Sequence, residues 1–318
     1  MISLIKELVI PSSVETESII LQPSVQEYFG NLNAHKRLLK DKIRLEAYRK
    51  AIYETVKPGD VVMDIGAGTG ILSRYAIEAG ARRVYLVEEN ENILLTARRR
   101  LSYANAMGKV VFIPKRSTQL SSSELLEKCD VVISEILGSL GINEGILHTL
   151  TDAKRFLKKD GIFLPCGLKL CCALYTADDS VISINRPAVY RGISDNIELV
   201  TEPITIFNFD FIQNILLEDS HRFTVLGTIP EHDGICLWFE SRLSHTVSIS
   251  NSPQMPETSW AYVFLPQHYT NHPVTIQFQY THNVASIIYL SVKIISRING
   301  FKIVNNFNYK QILEMKKK

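Results

Sequence analysis

The 318-residue chain has little excess charge of either sign: 35 basic side chains face 33 acidic ones, a formal net charge of +2 with histidines neutral. Binders of nucleic acid and of membrane surfaces concentrate a basic excess, so this balance argues against both. Cysteine is scarce and odd in number, at positions 129, 166, 171, 172 and 236, with no CxxC pair. Neither a zinc site nor a disulfide framework follows from that spacing. The adjacent Cys171 and Cys172 are expected on opposite faces of a strand, as small apolar fillers. Long apolar runs are also missing. The longest candidate, ASIIYLSVKII, has about 11 residues against the roughly 18 that span a bilayer, and reads as a strand. The opening MISLIKELVIPSS carries Lys6 and Glu7 inside its apolar stretch and is a poor secretory signal. A soluble, reducing, cytoplasmic setting is expected.

With 46% hydrophobic and 21% charged residues, the composition is that of an ordinary globular protein. A chain of this length buries roughly three quarters of its unfolded surface and more often divides into two domains than packs one core. The pattern along the chain divides it. From Leu38 to Glu54 the apolar spacing fits one amphipathic helix, stopped by Lys57, Pro58, Gly59 and Asp60. Val61 to Met63 is an all-apolar run of the kind buried on both faces of a parallel sheet. A glycine turn and a helix from Ile71 to Gly80 follow, then a strand from Val84 to Val87 and a helix from Glu91 to Asn105. Next come strand Val110 to Ile113, helix Ser122 to Glu127, strand Asp130 to Ser134, helix Asn143 to Leu157, a KKDG turn, and strand Gly161 to Leu164. Such alternation predicts a doubly wound, mostly parallel α/β sheet.

Past Pro165 the runs KLCCALYTA, EPITIFNFDF, RFTVLGTI, GICLWFESRL, HTVSIS, WAYVFLP, VTIQFQYTH and SIIYLSVKI are separated by turn residues. No helical pattern interrupts them before the last residues, which predicts an antiparallel β-barrel or sandwich. The expected division is a segment 1–30, a ligand-binding sheet domain 31–165 and a β-barrel domain 166–318.

The run VVMDIGAGTG sets Gly66, Gly68 and Gly70 between a buried strand and a helix, where small residues let a ligand approach the backbone. A dinucleotide turn would read GxGxxG, but Ile71 stands at the third position. Asp64 ends the first strand and Glu88 the second. A carboxylate at the second strand end can accept from both ribose hydroxyls, and an acid at the first can hold a cationic amino-acid end. Both features favour S-adenosylmethionine, while a nucleotide fold with another ligand stays open. After the strand ending VVIS, Glu135 and Glu144 flank a loop with two glycines. Glu135 falls at the carboxyl end of its strand, where open parallel sheets place ligands. The loop can fold back so that both carboxylates face one point.

Together, DIGAGTG, YLVEEN and SEILGSLGINE resemble the arginine N-methyltransferases, which carry a double-glutamate loop of this ten-residue frame. Tyr28, Phe29, His35, Leu38, Leu39, Asp41 and Arg44 are similar to that family's entry motif, whose aromatic helix closes over the cofactor. SPQMPETSWAYVFL resembles the segment in which a Thr-His-Trp triplet of the barrel faces the active site. The resemblance implies a Rossmann-like sheet that binds S-adenosylmethionine and releases S-adenosylhomocysteine, followed by a β-barrel substrate domain. It implies catalysis by Glu135 and Glu144, which clamp a guanidinium, with Trp260 stacking on that cation or packing in the barrel core. Cofactor contacts are implied for Tyr28, Phe29, His35, Asp64, Gly66, Gly68, Gly70 and Glu88, for Arg44 on the methionyl carboxylate, and for Thr118 and Gln119 near the adenine.

Two departures bear on substrate and assembly. Ser259 stands where the triplet has histidine, so the family's histidine-to-aspartate link from barrel to Asp41 is not expected. The loop residues Ile136, Leu137, Ser139, Leu140 and Ile142, with KRSTQL at 115–120, look more like members that make monomethylated or symmetric products. The segment near 178–200, a dimerisation arm in relatives, is reduced. The expected acceptor is a guanidino group on free arginine, a peptide or a protein, and the expected assembly a homodimer, with no metal, nucleic acid or membrane. A methyltransferase of another small molecule, or a non-catalytic binding module, are the rival readings.

Overall fold

A computed structural model describes residues 32–142, 144–178, 188–190, 197–212, 218–225, 232–256, 258–266, 274–282, 287–298 and 301–312. Two helices open it, α1 (Leu32–Lys40) and α2 (Lys42–Thr55). The sequence predicts one helix across this stretch, but the chain breaks at Asp41. There φ −74° and ψ 88° are not helical, and the carboxylate accepts from the Arg44 amide at 2.9 Å as the N-cap of α2. Aspartate caps because its short side chain satisfies an amide that the first helical turn leaves unpaired.

Five strands form the parallel sheet in the order β3-β2-β1-β4-β5: β1 (Val61–Ile65), β2 (Arg83–Val87), β3 (Val110–Ile113), β4 (Cys129–Ser134) and β5 (Leu157–Leu164). Every residue of β1 is buried, as its all-apolar run requires of a strand covered on both faces. Helices α3 (Ile71–Glu78), α4 (Glu91–Arg100), α5 (Ser102–Ala106) and α6 (Ile146–Ala153) connect them. The strand order reverses beside β1, which puts the switch point at the carboxyl ends of β1 and β4. Three details differ from the sequence reading. A 3-10 turn, Ser122–Glu124, replaces the helix expected to Glu127. The helix expected from Asn143 starts at Ile146, because Gly145 adopts φ 89° at its N-cap. The KKDG segment is strand: β5 pairs from Leu157, and an irregularity between Cys129 and Val131 absorbs its extra residues.

Beyond the Leu164–Pro165 cis bond the strands are antiparallel. A seven-stranded sheet curls into a half-barrel, ordered β7-β13-β11-β6-β8, with β12 on β11 and β9 on β6. Its members are β6 (Gly167–Ala177), β7 (Ala188–Tyr190), β8 (Ile197–Leu199), β9 (Ile204–Asp210), β11 (Gly234–Arg242), β12 (Ser248–Ser250) and β13 (Tyr262–Pro266). A second sheet joins β10 (Glu218–Val225), β14 (Val274–His282), β15 (Ile287–Ile298) and β16 (Phe301–Ile312). The chain end is thus strand as far as Ile312, because β16 completes a long antiparallel pair with β15. Of the segment near 178–200, only Asp178, β7, β8 and Val200 lie among the described residues.

One apolar cluster runs from β1 and β4 through Leu140 and Ile142 to Leu168, Phe239 and Trp260, so both kinds of sheet share a core. Polar bonds cross the same seam: Glu54 on α2 accepts from Ser244 Oγ at 2.6 Å and from the Thr246 hydroxyl. All five cysteines are buried free thiols, and burial pushes that of Cys129 up to about 12. Among the described residues no group of His, Cys, Asp and Glu could hold a metal ion, and no helix is long and apolar enough to cross a membrane.

Candidate active site

The turn after β1 is built on glycines because no side chain fits it. Gly66, Gly68 and Gly70 have φ of 68°, 55° and 76°. A Cβ on Gly66 would lie 2.9 Å from Ile136 Cγ2, and one on Gly68 2.9 Å from His35 Cε1. The turn therefore lies between the loop after β4 and helix α1, with the His35 ring against Gly68. Gly66 and Ala67 donate to the Val87 carbonyl, fixing the turn to the end of β2. Just beyond, Glu88 accepts from the Gly68 amide at 2.9 Å and the Asn90 amide at 2.8 Å. Burial raises its carboxyl, and those two N–H groups oppose the shift. Four lone-pair directions on a carboxylate leave acceptor capacity for a ligand beyond these two.

Asp64 is fully buried below the turn. Its Oδ2 accepts from Ser73 Oγ at 2.6 Å, while Oδ1 has no hydrogen-bond partner among the described residues. Burial dominates its titration and pushes the carboxyl up to about 7. Ser73, on the buried face of α3, is a contact that the sequence reading missed.

Glu135 follows the last residue of β4, and Glu144 precedes α6. Burial raises both carboxyls. Arg44 opposes the shift at Glu135, donating from Nη1 to Oε2 at 2.7 Å. Glu144 is pushed up to about 8, by burial first and then by the negative field of Glu135. Glu135 therefore acts on Glu144 as a charge, and Arg44 lowers the carboxyls of both. The Arg44–Glu135 pair is withdrawn from water, with side-chain exposures of 5% and 15%. Arg44 also donates from Nη2 to the Leu38 carbonyl at 2.9 Å, and its guanidinium carbon lies 5.6 Å from the Trp260 ring centroid. Trp260 packs edge-on against Phe239, with centroids 5.1 Å apart. It is at once a core residue and a cation-π partner, and in this structure the cation is Arg44.

Tyr48, one turn beyond Arg44 on α2, reads in the sequence only as an apolar helix position. Its hydroxyl is fully buried, 3.5 Å from the Ser134 carbonyl, and feels Glu135, Arg44, Asp64 and Glu144. Burial and Glu135 push it well above the ordinary range. Thr118 and Gln119 stand exposed on the 3-10 turn Ser117–Gln119 after β3, and none of the hydrogen bonds that organise the glycine turn or the glutamates passes through them. Tyr28 and Phe29 lie outside the described residues. The loop side chains are mostly turned inward: Leu137, Leu140, Ile142 and Ile146 are in the core, and Ile136 packs on Gly66.

A family model described as PRMT5 arginine-N-methyltransferase matches residues 12–164. The histone-arginine methyltransferase CARMER of Anopheles gambiae is 29% identical over 271 residues, covering 74% of this chain and 43% of that protein. Its counterpart in Drosophila persimilis is 30% identical over 272 residues, covering 74% and 50%. The chain thus spans about half the length of these relatives. Among solved structures, the Trypanosoma brucei PRMT1 enzyme-prozyme heterotetrameric complex with AdoHcy aligns with a TM-score of 0.75 at 20% identity, over 89% of this chain and 99% of that one. Arabidopsis thaliana protein arginine methyltransferase 10, in an open conformation, aligns at 0.72 and 17% identity, over 90% and 99%. At these identities the two structures show a shared fold.

Proposed function

Because the chain belongs to the arginine N-methyltransferase family, we propose that it transfers a methyl group from S-adenosylmethionine to a guanidinium nitrogen of arginine. The observation that carries this reading is the pair Glu135 and Glu144, two carboxylates near enough that the charge of Glu135 raises Glu144, at the switch point of a parallel sheet, beside a glycine turn that a single added methyl would fill. The residues present fit the cofactor: the turn leaves room for a close approach, Glu88 has acceptor capacity for ribose hydroxyls, and Asp64 Oδ1 is a buried acceptor in want of a donor. When bound, the sulfonium supplies an electrophilic methyl group.

The chain's own residues do the remainder. A guanidinium is cationic and delocalised, hence a weak nucleophile. Glu135 and Glu144 hold it by charge-assisted hydrogen bonds, drawing positive charge toward the bonded nitrogens and leaving another better able to attack. Alignment of that nitrogen at about 3 to 3.5 Å from the methyl carbon contributes ~7 to 11 kcal/mol. Glu144, the carboxylate without Arg44 as hydrogen-bond partner, takes the proton that the methylated nitrogen sheds. Arg44 opposes the rise that burial imposes on the Glu135 carboxyl and presents its remaining donor capacity toward the methionyl carboxylate.

The acceptor we propose is an arginine within a protein or peptide, supported by the activity for which the relatives are named, histone-arginine methylation. One methyl per arginine and self-association are finer parts of the same reading. The loop composition between the glutamates supports the first, and the heterotetramer named for the Trypanosoma protein supports the second. A labelled-methyl assay with an arginine-rich peptide, a protein extract and free arginine, read by product mass, tests acceptor and methyl count together. Glu135→Gln and Glu144→Gln should each lower turnover at least ~100-fold while cofactor affinity barely moves. Full activity in both variants would remove the clamp.

A further inference from the structure

We propose that Asn251 is a positioning residue for the loop that carries Glu135 and Glu144, fixing how deeply that loop sits between the glycine turn and the half-barrel; the inference rests on the guanidinium clamp described above. Asn251 follows β12 and is almost fully buried, at 3% exposure. Its Oδ1 accepts from the Phe239 amide at 2.8 Å. Its Nδ2 donates to the Ser139 carbonyl at 2.8 Å and to the Ala261 carbonyl at 2.5 Å. The amide orientation is dictated by its partners, since the reverse would set NH2 against an N–H and a carbonyl against two carbonyls. One side chain thereby joins three segments: β11, the middle of the loop between the glutamates, and the residue after Trp260.

Such a tie bears on the loop because, among its described residues, none belongs to a strand. Its chain turns on the Gly141 amide donating to the Gly138 carbonyl at 3.2 Å and, just past Glu144, on the Gly145 amide donating to the Ile142 carbonyl at 3.3 Å, both long. Its two ends are set by packing. Ile136 lies where a Gly66 side chain would be, and a Cβ on Gly141 would come within 2.7 Å of Leu168 Cδ1 and 2.9 Å of Phe239 Cβ. Asn251 holds the stretch between these two contacts from the antiparallel side, on the same strand residue, Phe239, whose ring packs against Trp260. Register of the loop against Trp260, and through it against Arg44 and Glu135, therefore passes through this amide. A displacement of the order of 1 Å at a reacting centre costs as much as ~100-fold in rate, which is the scale on which this tie matters.

The test uses the full chain and Asn251→Ala, with Asn251→Ser as a milder lesion read the same way if the alanine variant fails to accumulate. Three quantities are measured: amide hydrogen exchange of residues 136–142, affinity for S-adenosylhomocysteine by calorimetry, and kcat and KM for an arginine-rich peptide. Expected are exchange in the loop faster by ~10-fold or more, cofactor affinity within about threefold of wild type, and kcat/KM lower by ~10- to 100-fold. Unchanged loop exchange overturns the proposal. So does acceleration shared by β1 and β4 together with lost cofactor affinity, which is the signature of general destabilisation. If the wild type methylates none of the acceptors, the function proposed above fails, and the exchange measurement still decides what Asn251 holds.

Discussion

The backbone amide of Ser259 donates to Asp41 Oδ2 at 2.6 Å, joining residues 218 positions apart. The other oxygen of the same carboxylate accepts from the Arg44 amide at 2.9 Å. One aspartate thus caps the helix that carries Arg44 and anchors the segment that carries Trp260, and Trp260 in turn lies over the Arg44 guanidinium. The histidine of the family's triplet is gone, yet the junction between barrel and helix persists through a peptide group.

Asp41→Ala should therefore be far worse than Ser259→Ala. The first removes an N-cap, about 1 kcal/mol, and leaves a partly buried amide unpaired at about 1 to 3 kcal/mol. For a chain of 318 residues, at about 1.5 °C per kcal/mol, the sum of about 2 to 4 kcal/mol lowers the melting temperature by roughly 3 to 6 °C, and methyl transfer should fall with it. Ser259→Ala keeps the peptide N–H and should stay within about 1 kcal/mol of wild type, in the range of a mild substitution. Thermal unfolding of both variants decides: equal losses would mean that the serine side chain, and not its backbone, makes the joint.

Gly68 and His35 provide a second pair. Gly68→Ala forces a Cβ into the left-handed region, at about 1 to 2 kcal/mol, and within 2.9 Å of the imidazole. Helix α1 must retreat from the turn, and affinity for S-adenosylhomocysteine should drop by more than the roughly tenfold that the backbone cost alone explains. Adding His35→Ala removes the obstacle and should restore the excess loss but not the backbone part. A strictly additive double-mutant cycle, measured by calorimetry, would show that ring and turn do not press on one another.

Much of this site was legible because its chemistry and its burial coincide. The runs Val61–Met63 of β1 and Val131–Ile133 of β4 are apolar, since a parallel strand is covered on both faces, and the three glycines stand where a Cβ meets Ile136, His35 or Ala97. The break at Asp41 was not legible. Its position falls on the polar stripe of a continuing amphipathic pattern, and half of what holds it there comes from residue 259. Arg44 was read for its affinity for a carboxylate, and in the structure it holds one, Glu135. The pairing with a protein acid across 91 positions has no local trace. Asn251 is quieter still: a single asparagine after a short strand reads as a turn residue, and its value lies in three partners drawn from three segments.

Glu144 offers a titration that separates binding from folding. Its carboxyl is pushed up from 4.5 to about 8, chiefly by burial and then by Glu135. At pH 7 the resting site therefore holds a proton there, and a guanidinium that demands the carboxylate must expel it. With S-adenosylhomocysteine bound, calorimetry of an arginine-rich peptide in buffers of different ionisation enthalpy should register the release of nearly one proton per site.

The same group makes stability fall as the pH rises. The folded state keeps a proton that the unfolded chain has already lost, so the stabilising contribution is complete below pH 4.5 and disappears as the pH passes about 8. Asp64, pushed up to about 7, adds a slope of the same sign. Glu144→Gln is neutral at every pH and removes only its own share. Denaturant midpoints at pH 5, 6.5 and 8 should therefore show the variant gaining on wild type as the pH rises, with the residual slope shared by Asp64, Glu88 and Glu135, whose carboxyls burial also raises. Parallel curves for the two proteins would mean that Glu144 is ionised in the folded state throughout, with a cation at its side that keeps it so.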